Sequence, residues 1–98
     1  MSTRNGTQRL LLFVVGDEVN SRQARANLQR IITEHFSGSL HIDVVDVLMD
    51  FRAAIDNKVF VTPALVVTGN GKGTTLYGDL GDEAVVVNAL RNSVPIDA

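Results

Sequence analysis

In this chain of 98 residues few side chains could do chemistry, and their types narrow it further. There is no cysteine, so disulfides, thiol nucleophiles and Cys-based zinc sites are excluded. The two histidines are His35 and His41. A metal at either would need further ligands from Glu34 or Asp43, and nothing in the spacing demands one. Asp43, Asp46 and Asp50 are close enough in sequence to suggest paired carboxylates. Asp46, however, stands where a short helix should begin, and N-capping accounts for it. Asn20 and Ser21 are likewise good caps for an earlier helix, with Gln23 placed as in a capping box. The run Gly69-Asn70-Gly71-Lys72-Gly73-Thr74 invites a phosphate-binding reading. A Walker A loop needs G-x-x-x-x-G-K-[ST] between a strand and a helix. Here Gly73 follows Lys72, Val66 stands where the first glycine belongs, and a strand comes next. The expectation is a hairpin tip, with no catalytic residue, cofactor or metal.

Lys58 directly precedes an apolar stretch, where its stem can cover apolar surface while its ammonium stays in water. The net charge of −2 provides no basic field for nucleic acid or an anionic membrane. The longest apolar run, Val59 to Val67, is interrupted by Thr62 and Pro63 and is far short of the roughly 20 residues that cross a bilayer. Leu10 to Val15 is also short, and no cleavage-site pattern follows it. A cytoplasmic, soluble domain is expected.

The elements that must position these residues can be placed from periodicity. Residues 1–8 are polar and aperiodic and are expected to form a flexible tail. Leu10–Val15 suits a strand buried on both faces. Ala24, Leu28, Ile31, Ile32 and His35 recur on one face of a helix that Ser37-Gly38 should stop. Leu40, Ile42 and Val44 alternate as a second strand. Leu48, Phe51 and Ile55 mark the inner face of a short helix capped by Asp46. Ala64–Thr68 is a third strand with Val59–Val61 as lead-in, and Thr74–Tyr77 returns from the glycine-rich turn as a fourth. Asp82 caps a last helix with Val86, Ala89 and Leu90 inward. One domain over 9–92 follows, with a tail over 93–98.

The order β-α-β-α-β-β-α with right-handed crossovers gives an α/β, thioredoxin-like fold around a central mixed sheet. That fold carries a cis-proline at the start of its third strand, which assigns the role to Pro63. A redox relative would hold Cys-x-x-Cys at the start of the first helix, where this chain has Gly16-Asp17-Glu18-Val19-Asn20-Ser21. Dithiol exchange is therefore excluded. A serine-based glutathione transferase would need a second helical domain that this length cannot supply.

The chain also resembles the KaiB family of clock proteins. The resemblance rests on Val15-Gly16, Asn20-Ser21, Phe36-x-Gly38, Val45-Asp46-Val47-Leu48, Lys58 before an apolar pair, Thr62-Pro63, and Gly78-Asp79-Leu80. It implies structural roles for Pro63, Gly16, Asn20, Ser21, Gly78 and Asp79. It further implies a non-catalytic regulator of a KaiC-type hexameric ATPase, with Lys58, Arg22, Asp46 and Asp50 as candidate contacts. A KaiA-like protein or a histidine kinase is a further implied partner. So are a dimer or tetramer and an alternative KaiB ground-state fold. A SasA-like sensory module is the alternative reading. The chain departs from the family in having Thr68-Gly69-Asn70-Gly71-Lys72-Gly73 where prolines are usual, and Gly81-Asp82 after Gly78-Asp79-Leu80.

Overall fold

The computed structural model describes residues 9–37, 40–69 and 72–93. The expected tails over 1–8 and 94–98, Gly38 of the helix stop, and the Asn70-Gly71 turn lie outside the described residues.

The run Arg9–Val14 is apolar on both of its faces, and it becomes the inner strand β1. It leads through a turn at Gly16 into α1, Val19–Phe36. Then follow β2 (Asp43–Asp46), α2 (Phe51–Asp56), β3 (Ala64–Gly69), β4 (Lys72–Tyr77) and α3 (Glu83–Ser93). The sheet order is β2-β1-β3-β4. The β1–β2 pair is parallel and joined by α1, whereas β1–β3 and β3–β4 are antiparallel. The last helix includes Ser93, which is buried.

Alternation along β1 sorts its side chains into two cores. Leu10, Leu12 and Val14 join Leu65 and Val67 of β3 against α1 and α3. Phe13 joins Ala64 and Val66 on the other face, against Ala54 of α2 and Val59. On α1 the expected inner face holds at Ala24, Leu28, Ile31 and Ile32, all buried. His35 departs from it and is exposed, turned toward α3.

Four local expectations are corrected. Glu18, not Asn20 or Ser21, caps α1: its Oε1 accepts from the Ser21 N–H at 3.0 Å, while Asn20 and Ser21 lie inside the first turn. Asp46 does not cap α2. It closes β2, the chain turns through Leu48 and Met49, and Asp50 Oδ1 accepts from the Ala53 N–H at 3.1 Å instead. Leu48, Phe51 and Ile55 face outward, and the buried residue of α2 is Ala54. Leu40 and Ile42 pack on the first core but precede the ladder, which begins at Asp43.

Candidate functional site

The register Phe13↔Ala64 sets the start of β3 beside the end of β1, where the chain turns toward α1. A fold of this shape would place redox chemistry at that end of the sheet. The Thr62–Pro63 peptide is cis, Pro63 is buried, and its carbonyl accepts the Gly78 N–H at 2.9 Å. Gly78 has φ +98° and Gly16 φ +48°, left-handed values that glycine adopts without the penalty a Cβ imposes.

Ser21 is fully buried, and its Oγ accepts the Val15 N–H at 3.0 Å. The hydroxyl thus closes the strand-to-helix turn from within and is not presented to a substrate. Asp46 Oδ1 accepts from both the Gly16 N–H (3.2 Å) and the Leu48 N–H (3.0 Å), tying the end of β2 to the β1–α1 turn. Asp79 works the same way one turn further on: Oδ1 accepts from the Gly81 N–H at 2.9 Å, and its carbonyl accepts Asn27 Nδ2 of α1 at 2.8 Å. The side chains that could have been read as chemistry are spent on backbone groups that would otherwise lack partners.

The structure assembles one titratable cluster that spacing did not reveal. Glu83, at the start of α3, meets Arg30, Glu34 and His35 near the end of α1. Arg30 donates to Glu83 Oε1 at 2.8 Å and to Glu34 Oε1 at 3.2 Å, while His35 Nε2 lies 2.6 Å from Glu83 Oε2. Hydrogen bonds from Arg30 and then His35 hold the Glu83 carboxyl below its ordinary range, and Glu83 in turn raises Arg30. Glu34, His35 and Glu83 bring three ligating atoms within 4.8 Å of one another. Arg30 already supplies the positive charge on both carboxylates there, so the cluster is an ion-pair clasp between α1 and α3. His41 stands apart, at 3.0 Å from Asp43.

The surface feature that remains is apolar. Of the ten exposed large hydrophobic residues among the described ones, six fall between Leu48 and Val61. Met49 is 85% exposed, Phe60 80% and Phe51 67%. Lys58 lies in this stretch, exposed and in a left-handed conformation (φ 59°) that turns the chain out of α2. Asp46 and Asp50 frame the approach to α2. Arg22 is exposed on the first turns of α1. The family resemblance points to Lys58 and Asp50 in this stretch, but for its apolar residues the one signal is the period of 48–55, which is equally the mark of a buried face.

Among solved structures, mitochondrial thioredoxin 3 of Saccharomyces cerevisiae superposes with a TM-score of 0.73 at 12% identity, covering 91% of this chain and 81% of its own. Fasciola hepatica thioredoxin gives 0.72 at 18%, covering 90% and 82%. These likenesses establish a thioredoxin-like fold. By sequence, the circadian clock protein KaiB3 of Synechocystis is 37% identical over 81 residues, 83% of this chain and 79% of that protein. The circadian clock oscillator protein KaiB of Microcystis aeruginosa is 33% identical over 90 residues, 92% of this chain and 86% of that protein. The family model for the KaiB domain matches residues 11–91. With that span matched and the fold, turns and Thr62-Pro63 in place, the chain belongs to the KaiB family.

Proposed function

We propose that this chain is a non-catalytic clock or timing regulator that docks on a KaiC-type hexameric ATPase and modulates its phosphorylation and ATPase cycle in the cytoplasm. The observation that carries the reading is the exposed apolar surface between Leu48 and Val61, on a member of the KaiB family. Apolar residues of this size exposed together mark an interaction surface. Their burial against a partner supplies affinity through aromatic anchors such as Phe51 and Phe60. Lys58 supplies charge selection at its rim, and Arg22 a second cationic contact. Asp46 and Asp50 act by holding the turn and start of α2 in place, since each gives a carboxylate oxygen to the backbone.

Mixing the chain with a KaiC-type hexamer under ATP and under ADP, then sizing the mixture, tests this directly. Co-elution under at least one nucleotide is expected, and Lys58→Glu should weaken it. Absence of a complex under both removes the reading. The thioredoxin-like arrangement favours a second reading, a SasA-like sensory module that docks on a kinase system in this one fold. A complex with a histidine kinase and none with the ring would decide for it.

A further inference from the structure

Met49 is the most exposed of the large apolar side chains among the described residues, at 85%. The backbone that carries it is held on both sides. Its N–H donates to the Asp46 carbonyl at 2.9 Å, and the Asp50 N–H donates to the same carbonyl at 3.0 Å. Asp46 Oδ1 accepts from the Leu48 N–H, and Asp50 Oδ1 from the Ala53 N–H. An ordered turn between β2 and α2 thus presents the thioether to solvent, with the exposed side chains of Leu48 and Phe51 flanking it in sequence.

Sulfur is scarce in this chain. There is no cysteine, and the methionines are Met1 and Met49. Within the described residues an oxidant of the peroxide class therefore meets a single sulfur, and that sulfur is accessible. Its lone pair attacks a peroxide oxygen, the S–O bond forms as the O–O bond breaks, and the departing hydroxide takes up the proton released and leaves as water. The thioether is oxidised by two electrons to a sulfoxide, and the peroxide is reduced by two. On the free chain the sulfoxide stands in water and the fold is untouched. Pressed into an apolar contact, the same polar group must shed its water without a hydrogen-bond partner.

We propose that Met49 is an oxidation site at which a peroxide weakens docking by turning an apolar contact of the Leu48–Val61 surface into a polar one. The proposal rests on the docking reading above and adds a control on it, reversible by a thiol-dependent methionine sulfoxide reductase.

Treating the chain alone with hydrogen peroxide, removing the peroxide and then titrating with the KaiC-type hexamer tests it. Peptide mass mapping should place one added oxygen on Met49, and the Kd should rise at least ~10-fold. The thermal midpoint of the free chain should not move. Incubation with the reductase and a thiol should bring the Kd back. In Met49→Leu, whatever its starting affinity, the same peroxide treatment should leave the Kd where it was. Undiminished binding by a chain fully oxidised at Met49 overturns the proposal and leaves the docking reading standing. Met49 that stays unoxidised, or binding that the reductase does not restore, overturns it as well. So does an equal loss in treated Met49→Leu, or a fallen thermal midpoint, since the effect would then lie at another residue or in the fold. Absence of any complex with the untreated chain overturns both readings.

Discussion

The two faces of the sheet are finished differently. One is covered by α1, 18 residues long, and α3, 11 residues long, and their apolar sides close a core with Leu10, Leu12, Leu65 and Val67. The other is covered by α2, six residues long, which buries only Ala54 and turns Phe51 and Ile55 to solvent. Both stretches of sequence carry helical apolar periodicity, but in only one does the period describe an inward face. The larger core thus lies on the α1–α3 face, and beside the smaller core around Phe13 the α2 face keeps an apolar surface that folding does not consume.

Truncation on the two faces should separate these roles most strongly. Leu28 is fully buried between α1 and the sheet, so Leu28→Ala removes apolar contact and leaves a cavity. A loss of about 2–5 kcal/mol is expected, read as a fall in the denaturant midpoint. Phe60→Ser should change stability by no more than about 0.5 kcal/mol, while sharply weakening co-elution with the ring. Equal loss of stability at both positions would erase the distinction between the faces.

The closed face has a second vulnerable point where the end of α3 meets the hairpin. A Cβ added at Gly69 would run into the Ser93 carbonyl oxygen, which belongs to backbone and cannot swing aside. Gly69→Ala should therefore destabilise by about 1–3 kcal/mol, with hydrogen exchange faster at the end of α3 than in α1. Ser21→Ala comes next. It leaves the Val15 N–H without its acceptor in a part-buried site, at a cost of about 1–2 kcal/mol. Thermal unfolding measures it, and a neutral result would mean that water reaches that turn.

Much of the closed face was legible in the sequence. A continuous apolar run such as Leu10–Val15, and a run with one clear helical period such as Ala24–Ile32, each have a single way to bury their apolar residues. Thr62-Pro63 followed by Ala64–Val67 likewise marked the start of β3. The cap assignments for α1 and α2 failed because Asp, Asn and Ser recur within a few residues of those helix starts, and only packing decides among them, whereas Asp82 does stand before α3 with its Oδ1 accepting the Val85 N–H at 3.4 Å. Ser21 is claimed by an N–H six residues back, a contact that no local helix signal contains. The outward face of α2 was illegible for a deeper reason: apolar periodicity reports that a face will be covered, not whether the cover is the same chain. Glu83 meets Arg30 and His35 across about fifty residues of sequence, which spacing cannot foretell.

That clasp gives the smallest expected effect, and the one that depends on pH. The Glu83 carboxyl is held below its ordinary range in the folded chain, first by the Arg30 hydrogen bond and then by that of His35. A carboxyl whose folded pKa lies below its unfolded value binds fewer protons when folded. Its contribution is then fully present above the unfolded value of about 4.3 and is lost as pH falls through the lower folded one. Glu83→Gln should therefore remove a small increment of stability at neutral pH and none at the acid end. The melting curves of the two proteins would converge as acid is added. Because both side chains of the Arg30–Glu83 pair are well exposed, salt screening should shrink the neutral-pH difference too. A difference that persisted unchanged in acid would mean that Glu83 acts on α3 through its place in the first helical turn, not through its charge on α1.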